Sequence, residues 1–310
     1  MSKIFYILLV LAAFGVEAFV FVKMTKPQKP KIDIVHSQES IQPEEPKQTS
    51  IILTGDIMLG RSVMTESIKL NNYKYPFEKV AETLKNADLV FSNLENPIVA
   101  DCPERNSGMI FCADPKMIEG LTYAGVDVVN LANNHTRNYG QEGFDETKKF
   151  LIESEISYVG DNNLVVKEVH GTKFGFLGFD LVTNKLSDEM LGIIKESSAR
   201  VDILIVGVHW GNEYQDKASK IQMEAGQKMI ESGADVIAGH HPHWVQNSEI
   251  FNGKPIYYSL GNFIFDQMWS EKTKKGMAMR LTFTDKEYAS EEQLPIVIKT
   301  IGQPEWDTVK

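Results

Sequence analysis

From Ile51 onward, short apolar runs alternate with stretches of helical periodicity, a pattern that restricts the chain to an α/β fold built on sheets. The runs fall at 51–53, 89–91, 126–131, 174–179, 203–208, 236–238 and 256–260, and helical patterns occupy 78–86, 115–124, 142–154, 187–198 and 217–232. Two tight turns interrupt them, one inside 169–173 and one at Asn252-Gly253, a pair favoured in type I′ hairpins. The tail over 276–301 reads as β-rich. The expectation is a mixed arrangement of two sheets with helices outside, without an internal repeat or a second domain boundary.

The polar residues that break this pattern sit at the ends of the apolar runs. ILTGD sets Asp56 just beyond the first, LVFSNLE sets Asn93 and Glu95 after the second, and VVNLANNH sets Asn133, Asn134 and His135 after the third. LIVGVHWG sets His209, VIAGHHPH sets His241 and His243, and YYSLGN ends in Asn262. In open α/β sheets ligands bind beyond the C-terminal ends of the strands, so these groups are expected on one rim. Taken singly, each has an ordinary reading. His209 reads as a packed histidine, Asp56 as a cap for a helix starting near Ser62, Glu95 as a surface acid and Asn134 as a turn residue. Their common placement favours a site.

The chain has only seven histidines, and AGHHPHWVQ places three of them within four residues. If that segment is extended, side chains alternate faces, so His241 and His243 share one side and His240 takes the other. Pro242 biases His241 toward extended backbone. Two imidazoles with neighbouring carboxylates and an amide oxygen form a mixed N/O set, which suits Zn, Mn or Fe better than Ca or Mg. His240 then supports the site rather than ligating. No GxSxG elbow and no GxxxxGK[ST] or GxGxxG phosphate loop occurs, so metal-activated water has no strong rival as nucleophile.

A formal charge of −10 argues against a nucleic-acid footprint and leaves metal ions, cationic partners and small substrates open. Residues 4–22 are apolar apart from Glu17, follow Lys3, and are long enough to span a bilayer. Val16-Glu17-Ala18 resembles a cleavage site, so residues 1–22 read either as a signal anchor or as a cleaved signal peptide. Lys23, Lys26, Lys29 and Lys31 do not settle the orientation. Either outcome carries the rest of the chain across a membrane, to stay anchored there or to be secreted. Residues 23–49, rich in Pro, Lys, Glu and Gln, read as a disordered linker, and the folded domain is expected over 50–310. Cys102 and Cys112 form either one disulfide closing a short loop or two free thiols.

TGDIMLGR, SNLENPI, LANNHTRNYG, VHWGNEY, GHHPHWVQ and YSLGNFIFD, in this order over about residues 50–285, resemble the motifs of the CapA (PgsA-like) family of capsule and poly-γ-glutamate synthesis proteins. The family is similar to calcineurin-like metallophosphoesterases, which implies a four-layer α/β/β/α sandwich with a two-metal centre. Carried over by motif, Asp56, Glu95 and His243 would meet one metal, and Glu95, Asn134, His209 and His241 the other. His135 would be a catalytic, non-ligating group that protonates the leaving oxygen or stabilises charge. Arg61, Asn93, Asn133, His240 and Asn262 would support the ligands or meet an anionic substrate. Two departures from the wider superfamily stand out: Met58 replaces the histidine of Asp-x-His, and Glu95 replaces a bridging aspartate. Within NHTRNYG, Asn138 stands where the family usually has an aspartate. The resemblance implies either a metal-dependent hydrolase of phosphoester or amide bonds, or a non-catalytic component that binds acidic polymer or membrane subunits of a polymer synthase.

Overall fold

The computed structural model describes residue 23 and residues 47–307. The membrane-segment expectation for 1–22 and most of the linker expectation for 23–49 therefore lie outside the described residues. Among the described residues no helix is long and apolar enough to cross a membrane. The first strand begins at Gln48, two residues before the expected domain start.

The first part of the fold comprises β1 (Gln48–Ile57), α1 (Arg61–Lys69), α2 (Ala81–Lys85), β2 (Leu89–Leu94), α3 (Ile118–Ala124), β3 (Val128–Asn130), α4 (Gly140–Glu153) and β4 (Ser157–Val159). Next come β5 (Val165–Val169), β6 (Thr172–Asp180), α5 (Asp188–Ser198), β7 (Ile203–His209), α6 (Lys220–Glu231) and β8 (Val236–His240). The last strands are β9 (Ser248–Phe251), β10 (Lys254–Tyr257), β11 (Asn262–Ile264), β12 (Lys275–Thr284), β13 (Glu287–Thr300) and β14 (Gln303–Trp306).

These strands form two sheets. One has the order β14-β13-β12-β1-β2-β3-β4, with β11 also paired to β1; the other runs β5-β6-β7-β8-β10-β9. β1 to β4 are mutually parallel, as are β6, β7, β8 and β10, while β12 to β14 and the outer hairpin strands are antiparallel. The inner parallel strands β2, β7 and β8 are buried along their length and are mostly apolar, because both faces are covered.

Three apolar clusters hold the layers together. Ile52, Val90 and Val129 of the first sheet pack against Val63, Leu84, Leu121 and Phe144 of α1 to α4. Leu53, Phe91 and Val128 meet Phe176, Ile205 and Val236 of the second sheet. The far side of that second sheet, with Leu204, Val206 and Ile237, is covered by Ile194 of α5 and Met229 and Ile230 of α6. Ser187 caps α5 by accepting from Met190 N, and Ser219 with Gln222 forms a capping box on α6. Both expected hairpins are present, with His170-Gly171 and Asn252-Gly253 at positive φ as a type I′ turn requires.

Several elements differ from expectation. Only the start of the run at 256–260 is strand: β10 stops at Tyr257, and the next strand, β11, starts at Asn262 in the other sheet. Helix α1 has Gly60 at its N-cap and no side-chain cap, so Asp56 is not a helix cap. Cys102 and Cys112 are disulfide-bonded, with Cα atoms 5.7 Å apart.

Candidate metal centre

The parallel register aligns polar residues across each sheet. Asn262, Asp56, Asn93 and Asn130 are consecutive cross-strand partners in the first sheet, and Asp180, His209 and His240 in the second. The polar groups thus form two rows on facing sheets rather than one rim, and Asn262 opens β11 rather than ending a strand. Close approach of the sheets depends on missing side chains. A Cβ on Gly178 would sit 2.1 Å from Asn130 Oδ1, and one on Gly207 would sit 2.7 Å from Phe91 Cζ.

Between the rows lie Asp56, Glu95 and His209, all fully buried, with His135, His241 and His243 nearly so. His135 Nε2, His209 Nε2 and His243 Nε2 converge on Glu95 Oε1 at 4.0, 3.9 and 3.7 Å. Neither oxygen of Glu95 has a hydrogen-bond partner, and neither does His241 Nδ1. A buried carboxylate without partners is costly. Burial, then the charges of Asp56 and Glu213, hold the Glu95 carboxyl well above its ordinary range. Spacings just under 4 Å exceed a hydrogen bond, yet suit two donors sharing an ion at about 2.0–2.2 Å each. The donor atoms of Asp56, Glu95 and His243 lie within 4.8 Å of one another, as do those of Glu95, His209 and His241. Asn134 Oδ1 joins the second group, 3.0 Å from His209 Nε2. The residues present therefore fit divalent cations.

Asp56 is held in place by Asn93 Nδ2, which donates to Oδ1 at 2.9 Å, and by His241 N, which donates to Oδ2. Burial pushes its carboxyl up, but hydrogen bonding to His243 and the nearby imidazoles bring it below the usual range. His243 Nδ1 lies 3.0 Å from Asn262 Oδ1, an acceptor that directs Nε2 toward Glu95. Asn133 Nδ2 donates to Leu94 O, and Asn133 Oδ1 accepts from His135 N and Thr136 N, which fixes the turn carrying Asn134 and His135. His240 faces Thr54 O at 3.0 Å, apart from the donor groups. The backbone route to this arrangement is not the expected one. His241 and His243 have φ of +95° and +59°, so the segment leaves extended backbone after β8, and Pro242 does not keep His241 extended. A left-handed turn, not strand alternation, brings the two imidazoles to ring centroids 6.0 Å apart.

His135 stacks on Phe111 at 3.9 Å, and its Nδ1 lies 3.0 Å from Asn138 Oδ1, which also accepts from Phe111 N. Burial chiefly lowers its pKa, so the ring is neutral near pH 7. Arg61 is neither solvated nor free: it pairs with Asp266, donates to Gly108 O, and lies 4.5 Å from the Phe111 ring centroid. Sequence reasoning missed Phe111, Asp266 and Glu213. The first two signal nothing until the disulfide loop and β11 are placed, whereas Glu213 is visible only as an acid four residues past His209 in VHWGNEY.

Two facing sheets with this donor set define a mixed α/β protein with a candidate divalent-cation site. A putative 5′-nucleotidase of Staphylococcus aureus solved in complex with α-ketoglutarate shares the fold, with a TM-score of 0.50 and 13% identity, over 82% of this chain and 55% of that one. The model of the bacterial capsule synthesis protein family PGA_cap matches residues 50–267, and the chain belongs to that family. It is 29% identical to the capsule biosynthesis protein CapA of Bacillus anthracis, over 94% of this chain and 82% of that one. It is 30% identical to the PGA biosynthesis protein CapA of Bacillus subtilis, over 71% of this chain and 64% of the relative's length.

Proposed function

We propose that this chain is an exported, metal-dependent hydrolase of capsule or poly-γ-glutamate assembly, acting on phosphoester or amide bonds. The observation that carries the reading is Glu95, a fully buried carboxylate with both oxygens unpartnered and three imidazole nitrogens within 4.0 Å of one of them. Asp56, Glu95 and His243 would hold one cation and Glu95, Asn134, His209 and His241 a second, the N/O donors favouring Mn, Zn or Fe. When bound, such ions polarise an electrophilic oxygen and acidify water. The α/β/β/α layering and the family membership support this reading.

The chain's own residues supply the rest. Asn138 Oδ1 takes the Nδ1 side of His135, which leaves Nε2 facing the centre to accept a proton and return it to a leaving oxygen. Phe111 keeps the ring in that orientation by stacking. A cavity of about 290 Å³, lined in part by Asn133, Asn134, Arg137, Asp180 and Asn184, adjoins the centre through Asn134 and gives room for a polar substrate. Arg61 pairs with Asp266 and packs over Phe111, the ring that stacks on His135. Residues 1–22 would anchor the domain outside the cell membrane, or be removed on secretion, and membrane subunits of a polymer synthase are the natural partners.

A non-catalytic binding role is the second reading, favoured by Met58 at the position of a superfamily histidine. Assay of the Mn-loaded chain on phosphoester and γ-glutamyl amide substrates, beside His135→Ala, separates the two. Turnover lost in the variant supports the hydrolase. Stoichiometric metal with no turnover in either protein supports the binding role, and a chain that takes up no metal defeats both.

A further inference from the structure

The first cation position is short of donors. Asp56, Glu95 and His243 supply three, whereas divalent transition ions take four or more ligands. Met58 is fully buried within the apolar cluster under the helices, and its sulfur accepts from Gly60 N at 3.1 Å. A third carboxylate stands beside both groups, next to His241 and His243. Glu213 Oε1 lies 4.0 Å from His243 Nε2, and the donor atoms of Glu213, His241 and His243 lie within 4.8 Å of one another. Because Asn262 Oδ1 faces His243 Nδ1, the other ring nitrogen faces Glu95 and Glu213 together.

The backbone holds Glu213 there. Tyr214 N donates to Pro242 O at 2.9 Å, which ties the loop after β7 to the turn carrying His241 and His243. Tyr214 takes φ of +61° and Gly211 takes φ of +84°, and Gly211 packs so tightly on Gln222 that a Cβ would lie 2.6 Å from its Cδ. The Glu213 side chain is 32% exposed, so it reaches the centre from the solvent side, opposite fully buried Glu95.

We propose that Glu213 is a cation ligand of this centre, a carboxylate from the β7 loop that joins His241 and His243. The proposal rests on the cation reading above. It makes the centre richer in oxygen and shifts its preference from Zn toward Mn.

Titration of the metal-stripped full-length chain with Mn²⁺, read by the electron paramagnetic resonance of free Mn²⁺, tests it. Wild type is expected to take up Mn²⁺, and Glu213→Gln to weaken uptake at one position about a hundredfold. The metal-free unfolding temperature should not change, since the side chain is partly exposed. Equal Mn²⁺ affinity in wild type and Glu213→Gln overturns the proposal and leaves the cation reading standing. No uptake by wild type overturns both. Should Glu213→Gln fail to fold, Glu213→Asp reads the same quantity: the charge is kept but withdrawn by one methylene, so weaker uptake is expected, and wild-type uptake overturns the proposal.

Discussion

The histidine cluster shows how far single residues can be read. Its grouping was legible, because imidazoles crowded at the end of a buried run point to a candidate cation site, and His241 and His243 do fall among its donors while His240 does not. Its geometry was not, because positive φ at His241 and His243 is imposed by tertiary contacts, such as His241 N donating to Asp56 Oδ2, that no local pattern encodes. Glu213 was missed for a related reason: an acid in a loop resembles any solvated acid until the turn of Pro242 is placed against it. Asn138 yields a prediction at this scale. The amide oxygen accepting from His135 Nδ1 favours the charged ring only enough to offset burial in part, whereas a carboxylate there would favour it more strongly. Asn138→Asp should therefore raise the His135 pKa, measured by NMR titration of the ring. An unchanged or lowered value would show that Asn138 does not control this histidine.

At the scale of elements, strands and hairpins were legible wherever an apolar run or an Asn-Gly pair carried the signal. Strand β4 and helix α1 were less so: β4 is short and half-buried, and α1 starts without a capping side chain. The Cys102–Cys112 disulfide closes the loop that carries Phe111 beneath His135. Replacing both cysteines by serine should cost roughly 2–3 kcal/mol by the loop-closure relation, seen as a lower urea midpoint. No loss would mean the loop is held by its packing alone. Glycines on β6 and β7 set the spacing between the sheets. Gly178→Ala drives a methyl into Asn130 Oδ1, so a loss of roughly 1–3 kcal/mol is expected together with weaker cation uptake. A variant as stable as wild type would contradict the close approach.

The whole molecule joins two half-sites that neither sheet holds alone, and this was the least legible feature. Periodicity marks strands but not which sheet each joins, and β11 crosses to pair with β1 only through contacts distant in sequence. Assembly has a pH signature. Burial holds His209 well below the ordinary 6.5, His240 below it, and His241 down to about 4. Between those folded values and 6.5 the unfolded chain binds more protons, so the stability from neutral imidazoles is complete above 6.5 and is lost as pH falls below it. Glu95 opposes this, since its raised carboxyl favours the fold on acidification. Metal-free Glu95→Gln should therefore lose stability more steeply than metal-free wild type between about pH 7.5 and pH 5, read from urea midpoints. Equal slopes would mean that Glu95 does not titrate in the fold.

The functional reading depends on a cation between the two rows of strand ends. Elemental mass spectrometry of the purified full-length chain, reloaded with Mn, Zn or Fe and compared with Glu95→Gln, measures it. Stoichiometric metal in wild type, with loss from the variant, is the predicted result. A wild-type chain that retains no divalent transition metal would contradict it.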